Sequence, residues 1–148
     1  AATDTRFGKA ADFIKEVTQI CGKEPITTIV QAEPIGPKKM FDALLVAPCT
    51  GNTLAKLANG ITDTCVTMAV KSHLRNARPA ILGVSTNDAL GAAAKNIGLL
   101  MNAKNIYFVP MKQDNPQGKP NSVVADFSKA EAAILAALQG YQAQPLFV

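Results

Sequence analysis

Apolar residues recur at three- and four-residue steps through Phe7, Ala10, Ala11, Ile14, Val17 and Cys21. That spacing builds one stripe on a helix and predicts an element from about Phe7 to Cys21. Thr3, Asp4 and Thr5 offer caps at its start, and Gly22 offers a stop at its end. A short β-branched run follows, Ile26 to Val30, and then a Pro-Gly-Pro loop over Glu33 to Lys39. The continuous apolar stretch Ala43–Ala47 reads as a strand buried on both faces. After Pro48 the chain turns through Thr50, Gly51 and Asn52 into a predicted helix from Thr53 to about Asn59, with a second helix from about Asp63 to Arg75. Further along come a strand at Ala80–Val84, a helix at Gly91–Met101 and a strand at Ile106–Val109. A polar loop with two prolines spans Met111–Ser122, and a last helix lies near Ser128–Leu138. Apolar strands alternating with amphipathic helices predict a three-layer α/β fold of the flavodoxin or Rossmann type, with a mostly parallel sheet and right-handed crossovers.

In sheets of that kind ligands bind outside the carboxyl ends of the strands. The rule marks four loops: Gln31–Lys39, Pro48–Thr53, Ser85–Gly91 and Pro110–Ser122. They carry Thr50, Asn52, Thr53, Ser85, Thr86, Asn87 and Asp88, whose hydroxyls, amides and neighbouring backbone N–H groups suit a planar heterocycle. The plainer account is turn and cap chemistry, which favours the same residue types. Two such loops at neighbouring strand ends weigh against it. Asn52 and Thr53 open a helix directly after a strand and aim its positive end at any bound anion, while Gly51 permits close approach of a ligand to the backbone. Lys56, one turn in, faces either ligand or solvent, and solvent is the commoner fate.

Composition changes this picture little. The 148 residues suit one domain, with 48% hydrophobic and 18% charged residues, which indicates a folded globular chain. The apolar runs are strand-length and too short for a bilayer. No basic-then-apolar leader opens the chain, so a cytoplasmic location is expected. The formal charge of +4, from 15 Lys+Arg against 11 Asp+Glu, fits ordinary solubility or an anionic ligand. Nucleic acid is disfavoured because the basic residues are scattered and there are no Trp and two Tyr.

Ordinary hydrolytic chemistry has little to work with. The single His, His73, falls inside a helix, where a structural role is usual. Cys49 follows a strand without an evident base to activate it. Cys21, Cys49 and Cys65 match no zinc pattern and read as reduced thiols. No metal site is expected, and a bound cofactor would carry the chemistry.

The stretch Pro48-Cys49-Thr50-Gly51-Asn52-Thr53-Leu54-Ala55-Lys56, followed by Gly60 and Asp63, resembles the Pro-x-Ser-Ala-Asn-Thr-x-x-Lys signature of the flavin-containing cysteine decarboxylase superfamily. Within that superfamily the chain is most similar to the B-subunit family of dipicolinate synthase. The segments 3–10, 32–39, 74–79, 84–91, 104–110 and 119–122 carry this likeness, together with the Gln144-Pro145 ending. The resemblance implies FMN as cofactor and a trimer-based homo-oligomer. It implies cofactor contacts at Thr3, Thr5, Arg6, Pro48, Thr50, Gly51, Asn52, Thr53, Ser85 and Thr86, with Thr3, Thr5 and Arg6 near the flavin phosphate. It places Asn52 and Asn87 as the catalytic pair beside flavin and substrate. The implied activity is an oxidoreductase step of sporulation, oxidation of a dihydropyridine dicarboxylate to dipicolinate, shared with an NAD(P)-binding A subunit. Lys38, Lys39 and Arg6 are candidate partners for the substrate carboxylates.

Three departures qualify the likeness. Relatives place a strand, a Gly/Ser-rich turn, a helix and a second strand ahead of the Thr3–Arg6 segment, so residues 1–148 are expected to form a single domain lacking the first β-α-β segment and its phosphate loop. The decarboxylases use a His before the strand that leads into the Asn motif, whereas the only His here lies elsewhere, so cysteine decarboxylation is not expected. Gly51 replaces the usual Ala, in agreement with the dipicolinate branch. The alternatives are a non-catalytic binding or assembly partner of the A subunit, and an FMN-dependent decarboxylase relative.

Overall fold

The apolar runs become the strands of one sheet. In the computed structural model, which describes residue 4 and residues 8–148, β1 spans Leu44–Cys49, β2 Ala80–Thr86 and β3 Ile106–Phe108. β1 and β3 flank β2 and both run parallel to it, with Leu44, Leu45 and Val46 level with Ala80, Ile81 and Leu82. The helices are α1 (Ala10–Cys21), α2 (Ile29–Ala32), α3 (Gly51–Ala58), α4 (Cys65–Leu74), α5 (Ala94–Met101) and α6 (Ala130–Leu138). Successive residues of a strand face opposite ways, so β2 feeds two cores. Ala80, Leu82 and Val84 pack with Leu54, Val70, Ile97 and Leu100 of α3, α4 and α5. Ile81 packs with Val109, Ala125, Ala133 and Ala137 beneath α6. Helices therefore cover both faces, and the fold is a three-layer α/β sandwich. Among the described residues no helix is long and apolar enough to cross a membrane.

The sheet is mixed rather than parallel throughout. Two short strands, β4 (Met111–Lys112) and β5 (Val123–Ala125), form an arm. β5 pairs antiparallel with Ser85 and Thr86 at the end of β2 and antiparallel again with β4. The expected loop Met111–Ser122 thus begins in a strand and leads into another, and three residues are too few to show a two-residue alternation. The C-terminal tail packs on this same arm: Met111 N–H donates to the Leu146 carbonyl at 2.8 Å, and Val148 N–H donates to the Met111 carbonyl at 3.1 Å. Gln142 blunts the edge of β3, its side chain accepting from Phe108 N–H at 2.8 Å and donating to the Phe108 carbonyl at 2.7 Å.

The β-branched run Ile26–Val30 does not extend into a strand. Thr28 caps α2 through Gln31 N–H, while the Gln31 side chain accepts from Thr28 N–H, and this reciprocal cap outweighs β propensity. The Pro-Gly-Pro segment then clasps α4. Gly36 N–H donates to Ser72 Oγ at 2.7 Å, Ser72 Oγ donates to the Glu33 carbonyl at 2.6 Å, and Asn76 donates to the Gly36 carbonyl at 2.6 Å. α1 forms from Ala10 and stops at Gly22 in the left-handed region, yet none of its residues is buried. Val17 and Cys21 of its stripe face β1 only across an open groove, and the outer edge of β1 carries no strand among the described residues.

His73 is 1% exposed, and its Nε2 meets the Pro79 carbonyl at 3.0 Å. Burial holds its pKa below the ordinary 6.5, so the folded chain keeps it neutral while the unfolded chain protonates more readily. The associated stability is present above pH 6.5 and is lost as pH falls toward the depressed folded value. Thermal unfolding midpoints should fall as pH drops below 6.5, and His73→Gln, which retains a donor for Pro79, should flatten that slope. A Cβ at Gly36 would lie 2.0 Å from the Ser72 carbonyl oxygen. Gly36→Ala should accordingly cost about 3 kcal/mol in denaturant unfolding.

Candidate functional site

Where β2 ends, its neighbours diverge: β1 leads into α3 on one side, and β5 arrives antiparallel on the other. A polar cleft of about 590 Å³ opens there, lined by Thr50, Gly51 and Asn52 from one loop and Ser85, Thr86, Asn87 and Asp88 from the next. The far wall comes from the β4–β5 arm through Asp114, Lys119 and Ser122. Thr50 is the N-cap of α3 and makes no side-chain cap bond, so the first-turn N–H groups of that helix stay open for an acceptor. Asn52 and Asn87 are both exposed at the cleft.

The two loops approach closely at Gly51. Thr86 Oγ1 donates to Asp88 Oδ1, and a Cβ on Gly51 would lie 2.8 Å from Thr86 Oγ1 and 3.0 Å from Asp88 Oδ1. The lack of a side chain at 51 is therefore required by the neighbouring loop, a different reason from the close ligand approach expected of it.

Of the expected cofactor and catalytic residues, Thr50, Gly51, Asn52, Ser85, Thr86 and Asn87 meet in this cleft. Pro48 and Thr53 instead line an apolar groove of about 760 Å³ beside β1, with Val17, Cys21, Met40 and Phe41. Thr53 Oγ1 remains 3.4 Å from Thr50 Oγ1 and links the two spaces. Thr3, Thr5 and Arg6 lie outside the described residues. Lys38 and Lys39 do not line the cleft, because the clasp at Gly36 holds their loop against α4. Lys56 neither faces a ligand nor hangs free: its ammonium lies 2.9 Å from Asp63, and that hydrogen bond holds the Asp63 carboxyl below the usual range. Cys49 is fully buried, and burial pushes its thiol pKa up to about 12, so at neutral pH it is a packing residue and no nucleophile. Asp114, Lys119 and Ser122 form a wall of the cleft that the motif pattern does not mark. Its signals in the sequence are the position of the loop after a strand and the Lys119-Pro120-Asn121-Ser122 segment.

This architecture, with its cleft at the point where strand direction changes, is that of the flavoprotein family, and the chain belongs to it: the family model described as Flavoprotein matches residues 5–137. The chain is 48% identical over 147 residues to the B subunit of dipicolinate synthase from Bacillus subtilis (strain 168), a match that covers 99% of this chain and 74% of that protein. The crystal structure of the dipicolinate synthase B subunit from Bacillus halodurans is similar at a TM-score of 0.91 and 48% identity, covering 100% of this chain and 76% of that one. The FMN-dependent cysteine decarboxylase SpaF is similar at a TM-score of 0.59 and 24% identity, over 84% of this chain and 71% of that one, which shows the shared fold alone.

Gly51→Ala should separate Thr86 from Asp88 and lower the thermal midpoint by a few degrees, equivalent to about 1 kcal/mol. The same variant should lose affinity for any ligand that spans both loops. Lys56→Ala, by contrast, should leave ligand affinity unchanged in the same titration.

Proposed function

We propose that the chain acts as the B-type subunit of dipicolinate synthase, taking part in the oxidation of dihydrodipicolinate to dipicolinate in the cytoplasm during spore formation. On this reading residues 1–148 form a single domain and an NAD(P)-binding A subunit is the partner. The observation that carries it is the meeting of Thr50–Asn52 and Ser85–Asp88 in one cleft, in a chain 48% identical over 147 residues to a subunit of that enzyme. Exposed Leu135 and Leu138 on α6 agree with a homo-oligomer.

The cleft suits the polar edge of a flavin ring. The α3 N–H groups, the Asn52 amide and the Thr50 and Ser85 hydroxyls supply donors and acceptors, and the phosphate end is assigned to Thr3, Thr5 and Arg6. Bound flavin supplies a two-electron acceptor. Loss of two hydrogens, one as hydride and one as a proton, makes the substrate ring aromatic, so the reaction is downhill. The residues of this chain then have to hold and orient the ring. Asn52 and Asn87 fix its polar groups from two sides. Asp88, tied to Thr86, is a carboxylate of the cleft that can receive the proton.

The purified chain mixed with FMN should show flavin bands near about 370 and 450 nm that stay with the protein through gel filtration. Asn52→Asp should retain assembly with the A subunit while lowering dipicolinate formation by about 10²-fold. Full turnover by that variant would leave the chain a scaffold.

A further inference from the structure

Lys119 is the only cation among the described residues that line the cleft, against two carboxylates, Asp88 and Asp114. A dianionic ligand entering there meets one ammonium, and that ammonium is already paired. Lys119 Nζ lies 3.2 Å from Asp114 Oδ2, with 57% of the Lys119 side chain exposed and 31% of Asp114. An exposed pair of this kind contributes little to stability and is readily exchanged.

Both partners are prepared for an exchange. The Asp114 carboxyl is held below the usual range first by the Ser122 hydroxyl and then by Lys119, and Ser122 is buried. Ser122 stands beside Asp114 in the same wall of the cleft. The backbone around Lys119 is pinned: its N–H donates to the Asn115 carbonyl at 2.7 Å, and its carbonyl accepts from Ser122 N–H at 3.0 Å. Gly118 N–H donates to Asn115 Oδ1 at 2.9 Å, and Pro116 and Pro120 stiffen both sides. Only the side chain of Lys119 has to move. The other candidate lysines are engaged elsewhere, Lys56 with Asp63 and Lys38 and Lys39 on the loop held to α4.

We propose that Lys119 is the substrate-binding residue that selects a dicarboxylate, its ammonium leaving Asp114 to pair with one carboxylate of the pyridine ring. This rests on the proposed function, with the dihydropyridine seated beside the flavin in this cleft. Asp114 then acts as a competitor for the ammonium that excludes ligands lacking a second carboxylate.

The test is calorimetric titration of pyridine-2,6-dicarboxylate and of pyridine-2-carboxylate into the full chain with saturating FMN. The wild type should prefer the dicarboxylate by about tenfold or more. Lys119→Met should lose about tenfold in dicarboxylate affinity and most of that preference, Lys119→Arg should keep much of both, and Asp114→Asn should bind the dicarboxylate more tightly. Opposite signs at 119 and 114 are what a merely structural strut cannot produce, so equal weakening by both substitutions would overturn the assignment. Unchanged dicarboxylate binding by Lys119→Met removes Lys119 alone and leaves the proposed function standing. A wild type that binds neither pyridine overturns both. Loss of FMN affinity in Lys119→Met, with riboflavin affinity intact, gives the residue to a phosphate and also overturns the proposal.

Discussion

Every strand reaches the sheet through β2. Its lower half, Ala80 to Leu82, takes β1 and β3 in parallel, and its last two residues, Ser85 and Thr86, take β5 antiparallel. A strand so enclosed has to be apolar on both faces over its length and polar only where it emerges. Ala-Ile-Leu-Gly-Val followed by Ser-Thr meets that demand. Gly83 adds a steric condition, because a Cβ there would sit 2.7 Å from the Phe127 ring that enters from the α6 side. The cleft is a consequence: β1 and β5 leave the end of β2 in different directions, and polar side chains fill the gap.

How much of this was legible follows from the length of each signal. β1, β2, α3, α4 and α5 stand out because four or more apolar residues in register leave an unmistakable pattern, and their ends fall within a few residues of expectation. The loops after β1 and β2 were legible for the same reason, since a buried strand predicts where polar residues emerge. The β4–β5 arm was not. Met111-Lys112 and Val123-Val124-Ala125 are short, separated by ten residues of loop chemistry, and held by pairing with β2 rather than by their own propensity. The strand-end rule still marked Pro110–Ser122 as a ligand loop, but not which of its residues, Asp114, Lys119 and Ser122, would face the cleft. The α2 cap between Thr28 and Gln31 was present in the sequence as a Thr-x-x-Gln motif but was masked by the β-branched residues around it.

The same logic separates the lysines. Lys38 and Lys39 follow the Gly36 clasp and are carried with it onto α4, and Lys56 meets Asp63 seven residues on. Neither outcome is visible in spacing alone, because each depends on a partner brought in by tertiary packing. Lys119 is different in kind. Its partner Asp114 lies within the same short loop, so the pair forms locally and is delivered to the cleft as a unit by the β4–β5 pairing.

The close approach of Thr86 and Asp88 to Gly51 bears on any chemistry in the cleft. The two loops bearing Asn52 and Asn87 are separate in sequence, yet there is no room for a side chain between them at position 51. Orientation of a planar ligand between two amides depends on that distance being constant, since misplacement by an ångström is enough to lose a productive geometry. A chain with a buried, protonated Cys49, a neutral His73 bound to Pro79 and only the carboxylates of Asp88 and Asp114 among the described residues that line the cleft has few groups to drive acid–base chemistry. What its residues do offer is a rigid frame of amides and hydroxyls with one movable cation. That division, a fixed frame for a ring and a mobile charge for its substituents, suits the proposed oxidation, whose driving force lies in the aromatic product.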